Sequence, residues 1–433
     1  MNPDFAAHRR RLLEHLPEDE AVLVFTNPEH VRNGDSEFRY RPDSDVYWLT
    51  GWEDPHAAVF VRRGAEPLTM FVQPKDKERE VWTGRRPGPD GARAKFGADA
   101  AYPIGELEDQ LAKLLQGVRA LHYAFARDPD HDALVMSCVA RAARAARNNG
   151  LGAPETFHHP SKLLHELRLI KTDDELAVMR EAARLTGEAH RAAMRIARPG
   201  LFEHQIEAEL LHGWRRAGST GPGYTPIVAA GVNGTVLHYH TNRDELRDGE
   251  LLLLDAGCEV SYYTADVTRT FPISGRFTGP QRDVYGWVLR AQQASIDACR
   301  VGTKFDDVHQ ASVRTLTEGM IALGLLSGTV EERIADESYK RYYMHGTSHW
   351  LGLDVHDVGS YGRDGATRPL AAGMVLTVEP GLYVDPDDAE APAHLRGIGI
   401  RIEDDVLVTD GDPDVLTAAI PRAIADVEAA CAG

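Results

Sequence analysis

Three histidines fall within twelve residues in His345-Gly-Thr-Ser-His349-Trp-Leu-Gly-Leu-Asp-Val-His356-Asp-Val-Gly. Imidazole is a common ligand of first-row divalent metals, and Gly346, Thr347 and Ser348 are small enough to let backbone come close. Alone, each histidine is more often a hydrogen-bonded core residue than a ligand. Four acids change the balance. Asp255 ends the run Leu251-Leu-Leu-Leu, and a carboxylate buried at the end of so apolar a strand needs a cation or hydrogen-bond donors. Asp266 lies eleven residues on, in a segment, Tyr262–Phe271, that alternates like a half-buried strand. A hairpin of the two segments brings both carboxylates to one side; Arg269 or backbone amides are the competing partners.

Glu379 follows the apolar strand Val375-Leu-Thr-Val, and Pro380 stops the ladder there. Around Glu403, Ile398, Ile400 and Ile402 share one strand face, while Gly399, Arg401 and Glu403 share the other. A surface ion pair is the bland account of Arg401 and Glu403. Four unpaired acids in separate apolar strands would together cost roughly several kcal/mol each if buried. Their four negative charges match two divalent cations. Four carboxylates and an imidazole form a hard, oxygen-rich set, which favours manganese, with cobalt, iron or zinc able to substitute. There is no HExxH, so a single-zinc peptidase has no support. The chemistry expected of a two-metal site is hydrolysis.

Stepping outward, helices are expected at 5–16, 105–116 and 131–148, with short strands at 21–26, 46–50, 57–61, 68–72 and 120–125. This first part contains no glycine-rich phosphate loop. Trp82-Thr-Gly-Arg85-Arg86-Pro-Gly joins an aromatic to two arginines in a Gly/Pro-rich loop, either a solvated turn or a wall of a site. A boundary is expected near 166–172, where Thr172-Asp-Asp-Glu175 is a capping box opening a long helix that ends at Pro199-Gly200. A helix at 203–217 follows, then strands through 271, long helices at 279–300 and 304–323, and strands at 374–378, 398–403 and 405–409. The expected organisation is an α/β domain, 1–168, before a larger α+β domain, 169–433.

Composition narrows the class. A chain of 433 residues exceeds one typical core. Its net charge of -18 repels phosphate backbones, so nucleic acid is not an expected partner. No apolar run approaches the ~20 residues that span a bilayer, and Met1 to Glu20 lacks an apolar signal core. Cys138, Cys258, Cys299 and Cys431 form no CxxC pair, which fits a reducing cytoplasm.

Asp255, Asp266, His349, Glu379 and Glu403, in this order and these contexts, resemble the metal ligands of the pita-bread metallopeptidases. The similarity is strongest to the aminopeptidase P branch. It extends to Arg41-Pro-Asp-Ser-Asp-Val-Tyr-Trp-Leu-Thr-Gly, Glu166-Leu-Arg-Leu-Ile-Lys-Thr-Asp-Asp-Glu-Leu, His345–Gly359 and Gly399-Ile-Arg-Ile-Glu-Asp-Asp. The resemblance implies a pita-bread catalytic domain behind a smaller N-terminal domain, and a homo-oligomer, dimer or tetramer. It implies that Asp255 binds one metal and His349 with Glu379 the other, bridged by Asp266 and Glu403. It assigns His238 and His356 to substrate, and His345, Tyr361 and Arg401 to the pocket. Trp82 is expected near an active site. The implied activity is release of the first residue from Xaa-Pro peptides, with His356 stabilising the oxyanion and Glu403 moving the proton. A prolidase acting on dipeptides, or an inactive binding protein of the same fold, are the rivals. Four ligand carboxylates and a hydroxide outweigh two divalent ions, so a free substrate amine is expected to be favoured.

Overall fold

Six short strands in the first part of the chain, most of them apolar, pair into one mixed sheet. The computed structural model describes residues 2–363 and 365–432. Its contacts divide the chain into Asp4–Arg168 and a unit of Leu169–Gly433 that takes in Met1–Pro3. In the first unit the sheet runs, in space, Ala100–Pro103, Leu68–Val72, Ala58–Arg62, Glu20–Phe25, Ala120–His122, Thr156–His158. The three central strands pair antiparallel and the outer ones parallel. Leu107, Leu111, Val135 and Cys138, from the helices Leu107–Leu114 and Pro129–Asn149, pack on it.

Two expectations fail in this unit. The strand expected at 46–50 is the helix Ser44–Thr50. Every residue of that helix is buried, so no polar face reveals a helical period. The Asp43 carboxylate accepts from the amides of Asp45 and Val46 at 3.0 and 3.1 Å, and Gly51 ends the helix at φ 70°. The loop expected around Trp82 starts two residues later: Trp82 lies on the helix Lys77–Thr83, which Asp76 caps.

The second unit is α+β. The capping box at Thr172 forms, with Glu175 reaching back to the Thr172 amide at 2.8 Å, and opens the helix Asp173–Ile196. That helix, with Glu203–Arg216, Gly279–Ala298 and Phe305–Ala322, backs a set of short antiparallel strands. Leu185, Ala189, Val288 and Leu316 on the helices share one core with Leu252, Leu254, Ile400 and Ile402 on the strands. Among the described residues no helix is long and apolar enough to cross a membrane.

The strand Leu251–Asp255 lies between Ile227–Ala230 and Thr268–Pro272, with Asp255 opposite both Ile227 and Thr268. The continuous strand expected over 262–271 is broken. Tyr263–Thr264 pairs with Cys258–Val260 in a separate sheet, and Ala265 to Val267 connect the two. The break carries Asp266 to the end of the hairpin. Gly257 permits it: a Cβ there would lie 1.7 Å from the Ala265 carbonyl oxygen. Gly257→Ala must therefore push the Asp266 backbone away. The expected outcome is a loss of about 1–3 kcal/mol or more, read by denaturant unfolding, together with weakened metal retention. A variant of native stability and metal content would show that the segment tolerates the shift.

Candidate metal centre and active-site cavity

The strand ends converge on a cavity of about 530 Å³ in the second unit. Asp255, Asp266, Glu379 and Glu403 line it, as do His349 and Arg401. His238, His345 and His356 line it too, as does His240, which the sequence reading did not single out, while Ile227, Leu237 and Val355 supply apolar surface. Ligand-capable atoms of Asp266, His349 and Glu403 all lie within 4.8 Å of one another. His349 Nε2 stands 3.3 Å from Asp266 Oδ2 and 3.7 Å from Glu379 Oε1. Its Nδ1 is 3.0 Å from the Trp350 carbonyl, which holds the proton on that nitrogen and turns Nε2 to the cavity.

Arg401 and Glu403 do share a face, as the isoleucine alternation demands, because Ile400 and Ile402 are drawn into the core. Arg401 is the organiser. It donates to Asp255 Oδ2 at 2.6 Å, to the Thr268 hydroxyl at 3.1 Å and to the Tyr383 hydroxyl at 3.0 Å. The Thr268 hydroxyl in turn donates to Glu403 Oε2 at 2.7 Å. The Tyr383 hydroxyl donates to His345 Nε2 at 2.9 Å, and His345 Nδ1–H donates to the Gly346 carbonyl at 2.7 Å. Tyr224 donates to the other oxygen of Asp255 at 2.7 Å. The Arg401 charge against Asp255 was missing from the sequence count. It offsets part of the negative charge that the four carboxylates bring to the cavity.

Crowding shifts the titrations. Burial pushes Glu379 up to about 8, although His349 and Arg401 pull it down. Burial, then the charges of Asp266 and Glu379, holds Glu403 well above the usual carboxylate range. Burial also raises Asp255 against the pull of Arg401. Burial alone would depress His349, yet Asp266 and Glu379 outweigh it and hold the imidazole up at about 9. Without cations the cluster therefore carries protons at neutral pH. Buried carboxylates that retain protons, with an imidazole aimed among them, fit divalent cations that take the protons' place.

Tyr361 is not among the cavity-lining residues. Its ring stacks on Trp350 at 5.4 Å and its hydroxyl accepts from the Trp350 amide at 3.2 Å, so it braces the residue next to His349. Trp82 belongs to the first unit and is 88% exposed. Residues not picked out from the sequence are Tyr224, Thr268 and Tyr383, and the buried pair Lys171 Nζ–Asp357 Oδ2 at 3.0 Å. That pair anchors the segment bearing His356, whose ring meets His349 edge-on at 4.3 Å. The only signal for the tyrosines was their place beside acid-bearing strands.

The shifts set a pH dependence. Between the ordinary histidine value of 6.5 and about 9, the metal-free folded chain keeps protons on Glu379 and His349 that the unfolded chain has lost. Stability must fall as pH rises through that window. His345 and His190, depressed by burial to about 3 and about 4, stay neutral in the fold while histidines of the unfolded chain still hold protons near 6.5, so they oppose the trend only at the lower edge of the window. Thermal unfolding in chelator should show Tm dropping as pH rises from about 7.5, where histidines of the unfolded chain are neutral, to about 9, and saturating manganese should flatten the slope. A flat metal-free profile would contradict the charge assignment.

The sequence model of metallopeptidase family M24 matches residues 177–410, a span that holds every cavity-lining residue, and that of the aminopeptidase P N-terminal domain matches 5–122. The Xaa-Pro aminopeptidase of Escherichia coli is 42% identical over 429 residues, covering 98% of this chain and 97% of its own. The solved structure of aminopeptidase PepP from Pseudomonas aeruginosa superposes with a TM-score of 0.95 at 43% identity, covering 99% of this chain and 97% of that one. Zinc-substituted E. coli aminopeptidase P in complex with product superposes with a TM-score of 0.95 at 41% identity, covering 100% and 99%. The two-unit architecture agrees with these likenesses, and the chain belongs to metallopeptidase family M24.

Proposed function

We propose that this chain releases the N-terminal residue from peptides with proline in second place, as a metal-dependent Xaa-Pro aminopeptidase. The observation that carries this is the gathering of four acids and His349 on one cavity, in a chain 42% identical to an Xaa-Pro aminopeptidase along nearly its whole length. An inactive binding protein of this fold would have no reason to keep all of those groups at its centre. A dipeptide-specific prolidase fits the named relatives less well.

Asp255, Asp266, His349, Glu379 and Glu403 would hold two divalent ions, with Asp266 and Glu403 shared between them. The oxygen-rich donor set favours manganese, with cobalt, iron or zinc as substitutes. Bound there, such ions supply Lewis acidity, which polarises a carbonyl and makes water more acidic. Glu403, whose proton affinity is raised, takes the proton of the attacking water and delivers it to the leaving nitrogen. His356, depressed by burial and by His349, is neutral and offers an N–H to the developing oxyanion. The X-Pro amide has no N–H for a binding strand to accept, so the ring is held by shape. His238 and His345 form flat walls for it, and Arg401 fixes His345 through Tyr383. Tyr361 stiffens the same wall from behind Trp350.

The same reading places the protein in the cytoplasm, with cysteines unpaired in the structure, as a dimer or tetramer. Val81 and Trp82, 81% and 88% exposed side by side, suit a contact between copies that walls a neighbour's cleft.

Asp266→Asn or Glu403→Gln should lower kcat/KM at least about 100-fold, the scale of losing one charge-stabilising group, and should reduce bound metal by elemental analysis. Full activity with two ions retained in either variant would sink the ligand assignment. For specificity, Ala-Pro-Ala should be cleaved in manganese buffer, whereas its N-acetyl form and Ala-Ala-Ala should be nearly inert. Equal cleavage of all three would refute the specificity, and turnover confined to dipeptides would favour a prolidase.

A further inference from the structure

His238 reaches the cavity from a segment with little structure of its own. After the strand ending at Ala230 and the short 3-10 turn Gly231–Thr235, the chain forms no helix or strand until Leu251. Such a stretch has to find partners for its backbone elsewhere if its side chains are to hold position. One buried carboxylate supplies them. Glu203, the first residue of the helix Glu203–Arg216, is 0% exposed. Its Oε1 accepts from the Ala230 amide at 2.8 Å and from Asn233 Nδ2 at 3.0 Å. Its Oε2 accepts from the Tyr239 hydroxyl at 2.8 Å and from the Asp244 amide at 2.9 Å. A carboxylate has about four lone-pair sites, and here every one is spent on the segment that brackets His238. The Glu203 amide also donates to the Asp244 carbonyl at 3.0 Å, so backbone and side chain grip the same point. The positive end of the helix favours the charge at this place.

We infer that Glu203 is the positioning residue for His238: it touches no substrate itself, and it sets where the imidazole stands by tying both ends of the segment to one helix. The inference rests on the reading of His238 as a substrate contact. Glutamine at 203 would put an NH2 where one carboxylate oxygen now accepts: the Tyr239 hydroxyl can reverse and accept from it, but a backbone amide, that of Asp244 or of Ala230, loses its acceptor. A displacement of about 1 Å in a substrate-holding group costs up to about 100-fold in rate, whereas the four cavity acids lie outside the segment that Glu203 holds.

The test is a double-mutant cycle on Ala-Pro-Ala, with kcat, KM, metal content and Tm measured for E203Q, H238A, the double variant and Y239F. E203Q should lose about 10- to 100-fold in kcat/KM while keeping wild-type metal content. Added to H238A, it should cost no more than about threefold further, because the group it positions is gone. Wild-type activity in E203Q, or single losses that multiply in the double variant, would overturn the proposal. If E203Q does not fold, Y239F decides, since it removes one of the four donors and leaves Glu203 in place. Several-fold loss in the wild-type background and none in the H238A background supports positioning; unchanged kcat/KM in Y239F overturns it. Full activity in H238A would remove the substrate reading of His238 itself, a failure distinct from the others.

Discussion

Repulsion among buried carboxylates is the constraint on which this molecule's second unit depends. Asp255, Asp266 and Glu403 are each less than a tenth exposed and face one cavity with Glu379. Burial and the neighbouring charges raise the titrations of Glu379, Glu403 and Asp255 above the ordinary carboxylate range. Protonated acids are poor metal ligands and poor bases. The fold tolerates the crowding because Arg401 sits among the acids with its guanidinium committed to Asp255, Thr268 and Tyr383. A planar, delocalised cation with five fixed donors suits that task better than a flexible ammonium would.

From Arg401 the order spreads through hydroxyls. Thr268 passes a hydrogen bond to Glu403, and Tyr383 passes one to His345. The direction of each bond follows from the first, since a guanidinium only donates. His345 is thereby held neutral with its Nδ1 proton on the Gly346 carbonyl. A single buried cation thus bears on a candidate ligand, a candidate proton carrier and a candidate pocket wall together. A second layer lies behind it: Asp405 accepts from the Asp266 amide at 3.2 Å, and Asp404 is neutralised by Arg269 at 2.6 Å. Two helices contribute anchoring charges to the segments between strands, Glu203 for the His238 segment and, just ahead of its helix, Lys171 for the His356 segment.

Much of this was legible from residue types and spacing. An acid at the end of a leucine run, an acid before a proline, and an isoleucine alternation across Arg401 and Glu403 each fix which way a side chain faces. Strand periodicity is local, so Asp255, Asp266, Glu379 and Glu403 could be singled out one at a time, and the family likeness bound them into one set. The helix Ser44–Thr50 was not legible, because a wholly buried helix has lost the polar face that marks its period. The break between Thr264 and Thr268 was hidden in the same way: the letters alternate through it, and the close approach of Gly257 to the Ala265 carbonyl that permits it is a tertiary contact.

The sequence by itself determined the identities of the charged groups and the side of the chain on which Arg401 and Glu403 stand together, because alternation with Ile400 and Ile402 is local. Tertiary structure alone decided who answers whom. Arg401 lies 146 positions from Asp255 in the chain and Tyr383 lies 38 from His345, so neither contact leaves a periodic trace in the sequence. Tyr224 against Asp255, Glu203 around the His238 segment and Tyr361 behind Trp350 are of the same kind. A hydrogen bond between distant residues is set by how strands and helices pack, and packing is a property of the assembled chain.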